Sequence, residues 1–134
     1  MSDFYQAGAI ATLHRLGKDN IEELESRLLK YARDRPIALV LPSLSSEING
    51  EALRKIVDEL KKVQYIKDII VTLGPASDAE FAAARQFFSV LPQKTYVVWN
   101  NGKRIRKLYR IIEAEDLPTG IEGKGRSVWM AYGY

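Results

Sequence analysis

Cysteine is absent from this 134-residue sequence, which excludes a disulfide framework, a cysteine-bound zinc and thiol catalysis, and suits a reducing compartment. Histidine occurs once, as His14. With no acid nearby and no second ligand, it reads as a packing or surface residue rather than a catalyst. No apolar run approaches the roughly 20 residues of a membrane span. The start, Met-Ser-Asp-Phe-Tyr-Gln, has neither the basic head nor the apolar stretch of a signal peptide. The expectation is a cytoplasmic domain with no membrane partner. Net charge is only +3, a mild preference for anions and far from a nucleic-acid signature. Familiar phosphate loops are missing too: no Gly-x-Gly-x-x-Gly follows the first apolar run, and the P-loop spacing does not occur.

What is present suffices for one globular domain. With 46% hydrophobic residues, a chain of this length buries a core without staples. Met1 to Gly17 carries Phe4, Tyr5, Leu13 and Leu16 among small residues and reads as an arm. The division is an arm over residues 1–18 and a single α/β domain over 19–134. Asn20 caps a helix that begins at Ile21, with Glu22 and Glu23 in its first turn and Lys30 and Arg33 towards its end. Ile21, Leu24, Leu28 and Tyr31 share one face of it.

The next stretch, Ile37 to Glu47, organises the rest. It is a continuous apolar strand that ends at Pro42, where a ladder donor is lost, and runs through small hydroxyl residues towards a helix. Ser45, Ser46 or the rival Asn49 caps that helix, and Leu53, Ile56, Val57 and Leu60 recur on it with the spacing of a face laid on a sheet. Ile66 to Leu73 is a second strand. Ser77-Asp78-Ala79-Glu80 is a capping box that opens a third helix, with Phe81, Ala84, Phe88 and Leu91 inward and Pro92 as its stop. Thr95 to Asn100 is a third strand, left through the Asn101-Gly102 turn. A helix with Ile105, Leu108, Tyr109 and Ile112 on one side follows, then a loop from Leu117 to Gly125. Arg126 to Tyr134 begins a last helix.

Helix and strand alternate, and each crossover is long enough to make the strands parallel. The fold class is therefore α/β, a Rossmann-like parallel sheet with helices on both faces. Ligands in such sheets bind beyond the strand carboxyl ends. Three corners matter on that rule: Pro42 to Glu47, Thr72 to Ser77, and Asn100 to Gly102. Gly120 to Gly125 is a fourth. It contains Gly123-Lys124-Gly125-Arg126, where two glycines permit close backbone approach and a lysine supplies a point charge for a diphosphate. A structural turn and an anion site are equal readings of that pattern. Lys103, Arg106, Lys107 and Arg110 make the outer side of the fourth helix basic, an ordinary solvated face or a contact for phosphate and RNA.

Together, the corner Pro42-Ser43-Leu44-Ser45-Ser46-Glu47 and the later Gly123-Lys124-Gly125 with Val128-Trp129 resemble the N-terminal half of family-2-like glycosyltransferases of the GT-A fold. Within these, the glucosyl-3-phosphoglycerate synthases are the most similar. The resemblance runs from about Leu39 onward. It implies a partial GT-A fold that binds a nucleotide sugar such as UDP-glucose, for transfer to a small acceptor such as 3-phosphoglycerate. Carried over, Pro42, Ser43 and Leu44 line the uracil, and Glu47 accepts hydrogen bonds from ribose hydroxyls. Lys124, between Gly123 and Gly125, faces the base or the diphosphate, and Gly74 lies in the turn after the second strand.

The same resemblance implies a divalent metal, magnesium or manganese, held in the complete enzyme by an Asp-x-Asp motif that does not occur before Tyr134. The chain is therefore expected to be truncated before the metal motif and inactive by itself, with no catalytic and no metal residue assigned. The turn from Thr72 to Asp78 also departs from the family's Asp-x-Gly-Ser pattern. Expected partners are the nucleotide sugar and either the missing C-terminal half or a second copy paired through an open sheet edge. The rival reading is a non-catalytic α/β module that engages nucleic acid or a protein through its basic helix.

Overall fold

A computed structural model describes residues 20–134; the expected arm, His14 included, lies outside the described residues. Asn20 caps α1 (Ile21–Asp34), its side chain accepting from the Glu23 N–H at 3.4 Å. The strands are β1 (Ile37–Ser43), β2 (Ile66–Leu73) and β3 (Lys94–Trp99), all parallel, in the order β1-β2-β3. Between and after them come α2 (Glu51–Leu60), α3 (Asp78–Phe88), α4 (Lys103–Ala114) and α5 (Lys124–Gly133). No helix among the described residues is long and apolar enough to cross a membrane.

Register settles which side chains share a face. Pro42 pairs with Thr72 and Thr72 with Val98, while Ser43 pairs with Leu73 and Leu73 with Trp99. Side chains alternate along a strand, so Ile69, Val71 and Leu73 point one way, and each is 0% exposed. They pack against Leu53, Val57 and Leu60 of α2 and Ala84 and Phe88 of α3. Both crossing helices thus lie on one face. The expected cover on the other face comes from α5, which packs on β1 and β2 and buries Met130 and Ala131. The apolar stripe of α1 (Ile21, Leu24, Leu28 and Tyr31) is exposed among the described residues.

Five boundaries differ from the sequence expectation, the slightest being β3, which runs Lys94–Trp99 rather than Thr95 to Asn100. Pro42 lies inside β1 rather than ending it; β1 has one neighbour among the described residues, and an edge strand tolerates a missing N–H. Ser45 and Ser46 do not cap α2, nor does Asn49. Glu47 turns back to the Leu44 N–H at 2.8 Å and closes a separate 3₁₀ turn over Ser45–Glu47, so α2 starts after Gly50. The third helix ends at Phe88, before Pro92, and Leu91 stays buried beyond it. The last helix begins at Lys124, so Gly-Lys-Gly is a helix start rather than a loop. The capping box holds: Ser77 Oγ accepts from the Glu80 N–H at 3.3 Å, and Glu80 accepts from the Ser77 N–H at 2.8 Å.

Candidate functional site

The carboxyl ends of the three strands and the amino end of α5 converge on a cleft of about 370 Å³. Pro42, Ser43, Leu44 and Glu47 form its β1 side, and Thr72, Gly74 and Pro75 come from the end of β2. Asn100 follows β3, and Glu122, Gly123, Lys124, Arg126 and Ser127 face the strands from the start of α5. Residues some 80 positions apart in the chain are neighbours here because parallel strands bring every carboxyl end to the same edge.

The rim is tied by hydrogen bonds. The Gly74 N–H donates to the Ser43 carbonyl at 2.9 Å, joining the first two corners. Asn101 holds the β2–α3 loop at both polar groups of one residue: its Oδ1 accepts from the Ala76 N–H and its Nδ2 donates to the Ala76 carbonyl, each at 3.0 Å. Trp99 Nε1 donates to the same carbonyl at 3.1 Å, and its ring stacks on Phe81 with centroids 4.8 Å apart. Gly102 is required beneath that ring. A Cβ there would sit 2.9 Å from the Trp99 ring and 3.0 Å from its carbonyl.

At the amino end of α5, Gly123 precedes the first turn with extended backbone, φ 166°, and offers no side-chain cap. The first N–H groups of a helix have no intrahelical partner, and with the positive end of the dipole they suit an anion. Two cations frame the spot. Lys124 is the first residue of the helix, and the Arg126 guanidinium lies 4.5 Å over the Tyr109 ring, which orients it. Burial pushes the Tyr109 hydroxyl above its usual pKa, with the nearby Arg126 charge opposing. On the β1 side, Glu47 uses Oε2 for the Leu44 N–H, and a carboxylate keeps acceptor capacity beyond one such bond.

The floor is less settled than the rim. Ser43 Oγ, Thr72 Oγ1 and Asn100 Oδ1 are buried and have no hydrogen-bond partner among the described residues. Leaving such a group unpaired costs about 1–3 kcal/mol.

Seven of the eight residues singled out from the sequence border this cleft: Pro42, Ser43, Leu44, Glu47, Gly74, Gly123 and Lys124. Gly125 does not. It lines a separate, more open hollow with Thr119 and Trp129. From the sequence, Thr72 and Asn100 stand out only as the first residues of their corners, and Arg126 only as the neighbour of Gly-Lys-Gly. The available signal was polarity at the end of an apolar strand: Thr72 is the one hydroxyl residue in Ile66–Leu73. Lys103, Arg106, Lys107 and Arg110 of α4 are exposed, and none of them borders the cleft. Among the described residues no group of three or more His, Cys, Asp or Glu is placed to hold a metal. Glu47 and Glu122, the two acids at the cleft, do not make the ligand set a divalent ion requires, so no step is assigned to one here.

No protein-family model matches the chain, and no solved structure matches it significantly. Two curated proteins do, both named glucosyl-3-phosphoglycerate synthase. The one from Persephonella marina is 40% identical over 134 residues, covering 100% of this chain and 33% of that protein. The one from Methanococcoides burtonii is 30% identical over 132 residues, 98% of this chain and 32% of that protein. The chain thus spans about a third of the length of the curated relatives it matches. The resemblance carried by the Pro42 corner and the Gly-Lys-Gly start of α5 is borne out, and the chain is a homologue, along its whole length, of part of the glucosyl-3-phosphoglycerate synthases.

Proposed function

We propose that this chain forms the donor-nucleotide site of a glycosyltransferase, binding a nucleotide sugar such as UDP-glucose for transfer to a small acceptor of the 3-phosphoglycerate type. The observation that carries this reading is the convergence of the β1 corner and the α5 start on one cleft. An apolar corner, a carboxylate and a cationic helix start lie together there, and they match the three parts of a nucleoside diphosphate.

Each residue has a distinct task. Pro42 and Leu44 give the base an apolar surface. Glu47 accepts from vicinal ribose hydroxyls through the oxygen not bonded to the Leu44 N–H, because a carboxylate offers acceptors only. Lys124, Arg126 and the open N–H groups of the first α5 turn hold the diphosphate. Such a set fixes the donor and stabilises negative charge gathering on the departing nucleoside diphosphate. A divalent metal, magnesium or manganese, would in the complete enzyme neutralise further charge on that diphosphate; its ligands are not assigned to this chain.

The test is calorimetric titration of the chain with UDP-glucose in the presence of a chelator, beside titration with an RNA oligonucleotide. Saturable one-site binding of UDP-glucose that weakens about tenfold or more in Lys124→Ala is expected. Binding of RNA alone, with UDP-glucose inert, would sink the reading in favour of the basic face of α4.

A further inference from the structure

Arg126 borders the cleft and is sheltered but loosely paired. Its side chain is only 18% exposed, yet its polar contacts are long: Nη1 donates to the Gly120 carbonyl at 3.4 Å, and Nη2 lies 3.9 Å from Glu122 Oε1. A guanidinium carries five N–H donors in a fixed fork, so these two contacts leave most of its capacity unused.

What fixes the group comes from α4. Tyr109 is buried, and its ring lies under the guanidinium with the central carbon 4.5 Å from the ring centroid. An aromatic face attracts a cation through its quadrupole and takes no acceptor's place on its N–H groups. Burial pushes the Tyr109 hydroxyl above its usual pKa, so the ring stays neutral, and Oη has no hydrogen-bond partner among the described residues. The ring rather than the hydroxyl therefore accounts for the residue. The loop leading to Arg126 is fastened to the same helix. Thr119 Oγ1 donates to Glu113 Oε1 near the end of α4, and Gly120 follows with φ 70°, a left-handed backbone suited to glycine, and offers its carbonyl to Arg126. The sequence draws attention to the basic outer side of α4, but it is the buried side that reaches the cleft.

Building on the nucleotide-sugar reading, we propose that Tyr109 is a positioning residue for the donor's diphosphate, its ring holding the Arg126 guanidinium ready for a two-pronged contact with phosphate oxygens. Tyr109 does not itself border the cleft and acts only through Arg126. A planar fork set in advance matches a phosphate group in a way that a lysine cannot, and a side chain already ordered loses little freedom when the ligand arrives.

Chemical-shift titration of the chain with UDP and with uridine, in a chelator, tests this and reports millimolar affinities as readily as tight ones. Arg126→Ala is expected to weaken UDP binding about tenfold or more, while uridine, which has no phosphate, shifts by less than about twofold. Tyr109→Leu reproduces that selective loss at about three- to tenfold and adds nothing further in the Arg126→Ala background. Tyr109→Phe keeps the ring and restores the wild-type affinity for UDP. Equal losses of UDP and uridine in Tyr109→Leu, a further loss on top of Arg126→Ala, or a Tyr109→Phe protein as weak as Tyr109→Leu would each overturn the inference. Should Tyr109→Leu fail to fold, the wild-type chain still decides: the Arg126 Nε–H resonance, displaced upfield by the ring, should move with UDP and not with uridine. A resonance that ignores UDP overturns the inference without any variant. All these outcomes leave the nucleotide site standing, whereas absence of any UDP binding by the wild-type chain removes both readings.

Discussion

The two faces of the sheet are built from the same three strands and do opposite things. On the face towards α2 and α3, Ile69, Val71 and Leu73 are sealed among aliphatic and aromatic side chains, and only Ser43, opposite Leu73 at the strand ends, brings a buried hydroxyl without a partner among the described residues to that side. On the face towards α5, the same strand offers Thr72, and Asn100 extends that side beyond β3, both with atoms left unpaired. Consecutive residues of one strand therefore have different surroundings: Leu73 is sealed in the core, and Thr72 borders the cleft. Side-chain alternation is what allows this, since one residue of offset changes the face entirely.

Substitutions at neighbouring positions should accordingly differ in sign. Leu73→Ala is expected to lower unfolding free energy by about 2–5 kcal/mol, read from urea denaturation, because it opens a cavity in a region with no room to collapse. A loss under about 1 kcal/mol would mean that the α2/α3 face is not the core. Ser77→Ala, which removes the α3 cap on that same side, should cost about 1 kcal/mol. Thr72→Val should do the reverse, raising stability by up to about 1 kcal/mol as a buried unpaired hydroxyl is replaced by a methyl. A destabilised Thr72→Val protein would show that the hydroxyl is already satisfied and that the contrast between faces is overdrawn.

The smallest effect concerns acid. Bonding from the Ser77 N–H, and then from its hydroxyl, holds the Glu80 carboxyl below its ordinary pKa. A carboxyl depressed in the folded state adds stability that is present above its unfolded pKa and is lost as pH falls through the lower folded value. The melting temperature of the wild-type protein should thus fall more than that of Glu80→Gln as the pH drops below the usual carboxylate range. Parallel curves would remove the contribution.

Much of this architecture was legible without coordinates. Ile66 to Leu73 was bounded correctly because its apolar run is interrupted at both ends, and Asn20 and Ser77 announced two helix starts through chemistry confined to three or four residues. Local signals failed where a distant partner decides. Pro42 looked like a strand terminator because its tolerance depends on β1 lying at an edge among the described residues, which is a property of the sheet. Ser45 and Ser46 looked like caps, but Glu47 closed its own turn first. The cleft was readable as a set of corners, since strand ends must gather at one edge. Which side chains form its floor depended on register, and register is not written in any single segment.

The amide of Asn101 has a consequence for how quickly this protein can respond to a ligand. By gripping both the N–H and the carbonyl of Ala76, it imitates a strand neighbour for a loop that has none. A loop immobilised during folding gives up its conformational freedom before any ligand arrives, so little ordering remains to oppose association. Recognition at this edge should behave as the meeting of two rigid shapes, with an association rate set by encounter rather than by closure of the Gly74–Ser77 segment.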